Sequence, residues 1–301
     1  MSITLPGVKL MKLSEVSKLS VEERFLYWIK ERHNIYKKKE KRKPKPWTDD
    51  EVLQEYFFTN PYRENDKVTK WFRKNVREPM EGKDSILFAT IAFRWFNKPH
   101  PTGRLMLRHN LLTKWNEKKA VRLINEAKVD GPVFTGAYMI KAGNGPPGCK
   151  VPNVCSSITT VWDQRKRLVK VCKDDCRLQA LWKELTGIRF LGGFMAYEIV
   201  TDLRHTHLLE DATDIDTWAN VGPGAKRGMN RILGLEPPNL STPLENWEED
   251  SQRLLRLVKR KLKSIPRFEM REIEHSLCEF DKYERARTGS GKMKRKYKGT
   301  A

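Results

Sequence analysis

Apolar residues recur every three or four positions through most of this chain, the spacing that places them on one face of an α-helix. In "VEERFLYWIKERHNIYKKKE", which begins at residue 21, Phe25, Leu26 and Ile29 form one such face. Ser20 and Glu23 precede this face in the arrangement of a capping box, which is typical of a helix N-terminus. The sequence therefore predicts a long amphipathic helix here.

Similar patterns predict helices along the rest of the chain. "KRKPKPWTDDEVLQEYFF" breaks at its prolines and restarts at Thr48, where Glu51 completes a second capping box. The other predicted helices lie in "NPYRENDKVTKWFRKNV", "DSILFATIAFRWFN", "NEKKAVRLINEAKV", "SSITTVWDQRKRLVKVC", "CRLQALWKELT", "FLGGFMAYEIVTDLRHT", "TPLENWEEDSQRLLRLVKRKLK" and "EMREIEHSLCEFDKYERAR".

One stretch does not follow the helical pattern. In "VDGPVFTGAYMIKAGNGPPGCKVPNV", glycines and prolines predict loops, and "AYMIK" predicts a short strand. The expected fold class is therefore mainly α. We expect a single helical domain over residues 1–301, built as two lobes.

The charge of the chain limits the function classes. Lys and Arg number 59 against 38 Asp and Glu, a formal net charge of +21. Such an excess favours a polyanionic partner, with nucleic acid as the first candidate and an acidic membrane as the second. Because no apolar run could span a bilayer and "MSITLPGVKLMKLSEV" is not a signal peptide, we expect a soluble, intracellular protein.

The cysteines predict ordinary reduced thiols. The chain has five, an odd number, and four of them lie between Cys149 and Cys176. Their spacing fits none of the usual zinc patterns, so no metal site is predicted.

"WANVGPGAKRGMN", residues 218–230, predicts a helix–hairpin–helix over about residues 212–234. Gly222 and Gly224 would let backbone N–H groups approach a phosphate, and Gly228 would let the two helices pack tightly. Lys226 and Arg227 would add positive charge at a helix start, where it opposes the helix dipole unless an anion is near. The predicted anion is a DNA phosphate. The alternative is a joint between helices with solvated charges.

This stretch resembles the hairpin of the DNA glycosylase superfamily. Its lyase-type members carry a Schiff-base lysine two residues past the second glycine, the position of Lys226. They also keep an aspartate further downstream, whereas "LEPPNLSTPLEN" has none. The resemblance implies base flipping, and the missing aspartate disfavours glycosylase chemistry.

Longer stretches resemble a narrower phage family. They are "ERFLYWIKERHNIY", "KPWTDDEVLQEYFFTNPYRENDKVTKW", "LGGFMAYEIVTDL", "WANVGPGAKRGMNRILG" and "CEFDKYERARTGSGKMKRKY". They are similar to the helical domain shared by 5-hydroxymethyluracil DNA kinases and the alpha-glutamyl/putrescinyl thymine pyrophosphorylases, or amino acid:DNA transferases. The resemblance implies that 5-hydroxymethyluracil in phage DNA is pyrophosphorylated by a kinase, and that a transferase then displaces the pyrophosphate with an amine.

A kinase would need a phosphate-binding loop, and the nearest stretch is "GNGPPGCKV". Cys149 stands where the lysine belongs, and Val151 rather than Ser or Thr follows Lys150. The expected activity is therefore the transferase, with a glycosylase or lyase and a non-catalytic DNA-binding module as the alternatives. The resemblance implies double-stranded DNA carrying modified uracil and a small amine or amino acid as partners. It also implies a separate DNA kinase, and the cytoplasm of the infected host cell as the location.

The chemistry selects candidate residues, because a pyrophosphate leaving group needs cations and an attacking amine needs a proton acceptor. Arg63 and Asp66 have helical spacing, and Asn60 would cap their helix. The alternative for Arg63 and Asp66 is a surface ion pair. In "CEFDKYERAR", Glu279, Lys282 and Arg285 lie near one helical face with Asp281 offset, or form a solvated charged face. Predicted catalytic residues are Arg63, Asp66, Glu279, Asp281, Lys282 and Arg285.

Other contacts complete the prediction. Arg32 and Tyr36 lie one turn apart and would line the substrate pocket with Asn60 and Tyr138. The basic tail, about residues 286–301, offers Lys294 and Arg295 for phosphates, although a basic disordered tail would look the same. Candidate cofactors are Mg²⁺ with the pyrophosphate and a monovalent cation at the hairpin. No membrane partner is predicted.

Overall fold

The computed structural model describes residues 11–143, 148–235, 245–291 and 296. The predicted fold class, mainly α, is confirmed: the described residues form thirteen α-helices and no β-strand, with one isolated antiparallel bridge between Tyr56 and Lys296. The chain divides into two compact units. The first unit combines Met1–Arg63 with Val221–Ala301, and the second unit is Glu64–Asn220.

The helices divide between these units. Those of the first unit are α1 (Leu13–Val16), α2 (Val21–Glu40), α3 (Glu51–Glu55), α11 (Pro223–Ile232), α12 (Trp247–Lys261) and α13 (Met270–Thr288). Those of the second unit are α4 (Lys67–Phe72), α5 (Ser85–Phe96), α6 (Arg104–Arg108), α7 (Glu117–Glu126), α8 (Lys150–Asp174), α9 (Leu178–Thr186) and α10 (Gly193–Leu203).

The start of α2 confirms the first predicted capping box. The hydroxyl of Ser20 accepts the backbone N–H of Glu23 at 3.3 Å, and the Glu23 carboxylate accepts the backbone N–H of Ser20 at 2.8 Å. The predicted apolar face is buried, and its Phe25 ring meets Phe280 of α13 edge-on, with ring centroids 5.4 Å apart. Burial of this face therefore joins α2 to α13 in the core of the first unit.

The second predicted capping box is wrong. The cap of α3 is Asp50, whose Oδ1 accepts the backbone N–H groups of Val52 at 2.9 Å and Leu53 at 3.1 Å. Thr48 lies further back, and its hydroxyl accepts the N–H of Asp50 at 3.3 Å. Since one carboxylate satisfies two N–H groups of the first turn, the helix begins at Glu51 rather than at Thr48.

The core of the second unit is built on α5, which packs against α8 and α10. Every residue of α5 after Ser85 is buried, as its apolar sequence predicts. The buried charged group among them, Arg94, donates from Nη2 to Asp202 of α10 at 3.0 Å and to Thr69 of α4 at 3.0 Å. Because a buried guanidinium needs a paired charge, this contact fixes α10 against α5.

The segment around Arg63 and Asp66 is not the single helix that its pattern predicts. It forms a 3₁₀ turn over Arg63–Asn65, then α4, then a π-helical turn over Arg73–Arg77. Asp66 has an extended backbone, with φ −74° and ψ 141°, and takes the N-cap position of α4. The predictions that Arg63 and Asp66 share a helical face and that Asn60 caps their helix are therefore wrong.

The predicted strand in "AYMIK" is also wrong, because residues 137–141 have no strand hydrogen bonding. Of the rest of that glycine-rich stretch, residues 144–147 lie outside the described residues. None of the helices in the described part of the chain is long and apolar enough to cross a membrane.

Candidate functional site

Of the predicted helix–hairpin–helix, the structure contains the second helix, which is α11. The prediction of a helix before the turn is wrong, because residues 213–217 form hydrogen-bonded turns. At the start of α11, the backbone N–H of Gly222 donates to Oε1 of Glu274 in α13 at 3.3 Å. The anion beside the N-terminus of α11 is therefore, within the chain itself, a carboxylate.

Two glycines bring α11 into close contact with α13. A Cβ atom on Gly224 would lie 2.3 Å from Sγ of Cys278, and one on Gly228 would lie 2.2 Å from the carbonyl oxygen of Leu277. The sequence predicts tight packing at Gly228, but against the helix before the turn. The partner is instead α13, so these glycines bring the basic face of α11 beside the charged face of α13.

Three arginines surround the carboxylate of Asp281, and we call these four residues the Asp281 cluster. Asp281 is 0% exposed. Its oxygens accept hydrogen bonds from Nε of Arg227 at 2.8 Å, Arg231 at 3.0 Å and Arg285 at 3.2 Å. The cluster carries an excess of two positive charges, and the side chains of Arg227 and Arg285 are 28% and 29% exposed.

This geometry corrects the role predicted for Asp281. A fully buried carboxylate that holds three guanidinium groups cannot also contact a substrate, so Asp281 positions the arginines. Arginine donors that a buried acid holds in place are suited to planar or tetrahedral anions such as phosphate. The surface of the cluster can therefore bind a phosphate group through Arg227 and Arg285.

A second group of polar residues lies where the segment after α3 meets α13. The hydroxyl of Thr59 lies 2.7 Å from Nε2 of His275, and the backbone N–H of Thr59 donates to Oε2 of Glu279 at 2.9 Å. His275 and Glu279 are four residues apart on α13 and therefore lie one turn apart. We call Thr59, Asn60, Arg63, His275, Glu279 and Lys282 the Thr59 site.

Neighbouring cations hold the backbone of this segment. Nζ of Lys282 donates to the carbonyl of Phe57 at 2.6 Å and to Glu279 at 3.3 Å, and it lies 4.8 Å from the ring centroid of Phe58. From α2, Nε and Nη2 of Arg32 both donate to the carbonyl of Phe58 at 3.1 Å. Because the two residues that precede Thr59 are tied to helices, its hydroxyl is held against His275 by more than one contact.

The surroundings of His275 favour the neutral form of its imidazole. Burial lowers the pKa of His275 well below its usual value, and the positive charges of Arg271 and Arg63 lower it further. A hydrogen bond between the ring and the backbone of Asn60 opposes this shift of the pKa only in part. A neutral imidazole has one donor and one acceptor nitrogen, so the hydrogen bonding fits a ring that donates to Asn60 and accepts from Thr59 at Nε2.

The other predicted residues have definite places. Arg32 and Arg63 are buried in the first unit, and Tyr36 stacks on His33 with ring centroids 6.2 Å apart. Asp66 and Tyr138 belong to the second unit, where the Tyr138 hydroxyl donates to the carbonyl of Arg94 at 3.2 Å. Lys294 and Arg295 lie outside the described residues.

Sequence reasoning missed Thr59 and His275. A signal was present, because Arg271, His275, Glu279 and Lys282 recur at intervals of four, four and three residues, the spacing of one helical face. The residues of that face that were predicted as catalytic, Glu279 and Lys282, lie only in its C-terminal half. Thr59 has no comparable signal, since its contact with His275 joins residues far apart in the chain.

The five cysteines are free thiols, and burial raises the pKa of both Cys155 and Cys172 to about 12. Within the described residues, no group of three or more His, Cys, Asp and Glu side chains is arranged to hold a metal ion. The cysteines of α8 are therefore packing residues in the second unit.

A family model described as "5-hmdU DNA kinase, helical domain" matches residues 20–293 of the chain. This range contains the Thr59 site and the Asp281 cluster. The chain belongs to the 5-hmdU DNA kinase helical-domain family. The chain is similar to a "5-hmdU DNA kinase" of Bacillus phage SP10, with 30% identity over 231 residues. That match covers 69% of this chain and 36% of the relative, so it spans about a third of the relative's length. No solved structure matches the chain.

Proposed function

We propose that the chain modifies thymine-derived bases in phage DNA, displacing pyrophosphate from pyrophosphorylated 5-hydroxymethyluracil with an amine or amino acid. The observation that carries this proposal is the family match over residues 20–293, together with the kinase named in the relative. The net charge of +21 supports a DNA substrate. The sequence pattern at "GNGPPGCKV", which lacks the lysine of a phosphate-binding loop, favours the transfer step over the kinase step.

The transfer has a simple atom balance. The amine nitrogen attacks the methylene carbon on the base, a C–N bond forms, and the C–O bond to pyrophosphate breaks. The amine loses one proton to a base. The target nucleotide must leave the helical stack to be reached, which costs a few kcal/mol.

His275 is the proposed proton acceptor, reached through the hydroxyl of Thr59, which lies 2.7 Å from Nε2. The lowered pKa of His275 keeps the imidazole neutral near pH 7 and so able to take up a proton, although it holds that proton less strongly than an unperturbed histidine does. Glu279 was predicted for this role, but its Oε2 already accepts the Thr59 N–H and lies 3.3 Å from Nζ of Lys282. Glu279 therefore acts as a positioning residue, and Asp66, the other base predicted from the sequence, lies in the second unit.

The cations of the first unit would hold the phosphate groups. Arg63 and Lys282 of the Thr59 site, with Arg285 of the Asp281 cluster, would bind the departing pyrophosphate. On α11, Lys226 is half-buried with no ion-pair partner among the described residues, and Arg227 is partly exposed. These two residues would contact the DNA backbone.

The test uses DNA that contains pyrophosphorylated 5-hydroxymethyluracil, incubated with purified protein and a panel of amines. Digestion and mass spectrometry of the nucleosides should reveal an adduct for at least one amine. His275→Gln should lower the rate about 10²–10⁴-fold, as expected for loss of a general base, while DNA binding is kept. His109→Gln, a change at a half-buried histidine of the second unit, is the matched control and should keep full activity.

Two other functions have specific support. A non-catalytic DNA-binding module that partners a DNA kinase is supported because the chain matches only about a third of a relative named as a kinase. Tight DNA binding with no adduct from any amine would favour it. A glycosylase or lyase is supported by Lys226 in the first turn of α11. Release of free base or strand cleavage in the same assay would favour that function.

A further inference from the structure

The second unit contains an open groove along α8 that the proposed transfer does not use. Its cavity is ≈ 630 Å³. Aromatic rings and a row of basic side chains share its wall: Phe88, Trp162, Arg165, Lys166, Lys170 and Lys173. Rings and cations in one open groove are the two elements that bind single-stranded nucleic acid.

In the aromatic part of the groove, Trp162 lies between the buried ring of Phe88 and a cation on its outer side. The rings of Phe88 and Trp162 meet edge-on, with centroids 4.8 Å apart. The guanidinium carbon of Arg165 lies 3.9 Å from the ring centroid of Trp162, and Nη1 of Arg165 donates to the carbonyl of Trp162 at 2.5 Å. The guanidinium group is therefore fixed on the ring, and bases stack on such planes.

Carboxylates do not fully neutralise the lysines beside Trp162. Lys166 has no ion-pair partner among the described residues, and Lys170 meets Asp174 only at 3.9 Å with its side chain 76% exposed. Lys173 is paired with Asp84 at 2.7 Å. The four basic residues face two carboxylates, which leaves an excess of two positive charges along the groove.

The spacing of these residues distinguishes an extended ligand from a compact one. Trp162, Lys166, Lys170 and Lys173 follow one another at intervals of four, four and three residues and so share one face of α8. At 1.5 Å per residue, the three lysines extend about 10 Å along the helix. A free nucleotide needs donors that converge on one polyphosphate, whereas a row of this length follows successive phosphates of a strand.

We propose that this groove binds a segment of single-stranded DNA. One base stacks on the Arg165–Trp162 layer, and neighbouring phosphates contact Lys166 and Lys170. The site belongs to the second unit and involves none of the residues assigned to the transfer. It therefore stands whether or not the transfer proposal holds.

The test measures binding of the full-length protein to a short labelled single-stranded oligodeoxynucleotide at several salt concentrations. Each phosphate contact adds about 0.7 to the log–log salt slope for a single strand. The double variant Lys166→Gln with Lys170→Gln should therefore lower the slope by about 1.4. The control double variant, Lys128→Gln with Lys183→Gln, removes the same charge from exposed positions outside the groove and should leave the slope unchanged.

A separate variant tests stacking apart from charge. Arg165→Lys keeps the positive charge and removes the guanidinium plane, and it should weaken single-strand binding at least about five-fold, while duplex binding changes less. The groove would not be part of the interface with DNA if the salt slope of the Lys166→Gln, Lys170→Gln variant were unchanged. The same conclusion would follow if both double variants lowered the slope equally. Unchanged affinity of the Arg165→Lys variant for the single strand would also overturn the proposal. So would competition by ATP at micromolar concentrations, because it would indicate a compact nucleotide site.

Discussion

A Cβ atom on Gly228 would lie 2.2 Å from the backbone carbonyl oxygen of Leu277, a separation that real Cβ atoms essentially never show. The obstacle is backbone rather than a flexible side chain, so it cannot move aside alone. Helices α11 and α13 therefore depend on a glycine at this position to pack as closely as they do. The Asp281 cluster, which joins the same two helices, depends on that packing.

Gly228→Ala should destabilise the first unit. The added methyl group must push the two helices apart, and overpacking of this kind costs about 1–3 kcal/mol or more. The measurement is the free energy of unfolding from urea titration. Gly192→Ala is the control, because Gly192 has φ −76° and no atom within 4 Å of its added Cβ. Equal stability of the two variants would contradict the close packing.

Asp281→Asn should destabilise the protein by about 3–5 kcal/mol, since removal of one partner leaves buried charge uncompensated. Here three guanidinium groups lose their shared carboxylate. Thermal unfolding should show a clear decrease in Tm. Asp130→Asn, at an exposed aspartate with no ion-pair partner among the described residues, should change Tm little. A small effect at both positions would mean that the arginines do not depend on Asp281.

His33 should make stability fall in mild acid. The ring is 5% exposed, and burial, with help from the nearby charges of Lys37 and Arg32, lowers the pKa of His33 from 6.5 to about 4. The unfolded chain therefore binds more protons than the folded chain between these two values, so stability decreases as pH falls through this range. Relative to a His33→Phe variant, the protein should lose about 1–2 kcal/mol between pH 7 and pH 5.

The control for this comparison is internal. Above the unfolded pKa, the ring is neutral in both states, so the difference in stability between His33→Phe and the unmodified protein should be constant from pH 7.5 to pH 8.5. Parallel stability curves from pH 7 down to pH 5 would show that His33 is protonated as easily in the folded chain as in the unfolded one.

Lys226 and Arg227 should differ in their effects on duplex binding. Lys226→Gln should lower the log–log salt slope by about 0.9, the value for one phosphate contact, without loss of stability. Arg227→Gln should also lower stability, since Nε of Arg227 donates to Asp281. Lys18→Gln, an exposed change in the same unit, is the matched control for charge. A slope that Lys226→Gln leaves unchanged would remove the start of α11 from the DNA interface.

Local signals predicted much of the fold. The cap at Ser20 and the apolar run of α5 are properties of a few consecutive residues, and both appear as predicted. The prediction of a single helix around Asp66 was wrong, because the pattern of apolar residues continues through a break in the helix. Its helical spacing gave no sign of the extended Asp66, which takes the N-cap of α4.

The candidate site was harder to predict because its contacts connect distant parts of the chain. The sequence pattern indicated the charged residues of α13, but it did not indicate the residues that pair with them. Asp281 was predicted among the catalytic residues, whereas its oxygens accept hydrogen bonds from Arg227 and Arg231 of α11. Thr59 and His275 are 216 residues apart in sequence, and no local pattern relates them.

The first unit is assembled from the two ends of the sequence, and this affects how the protein forms during translation. Arg24 of α2 donates from Nη2 to Glu284 of α13 at 2.9 Å, across 260 residues. The second unit, Glu64–Asn220, is continuous and is synthesised before α11–α13. Helices α1–α3 are thus synthesised before the helices that cover their apolar faces, so the nascent chain exposes Phe25 until Phe280 of α13 has been made.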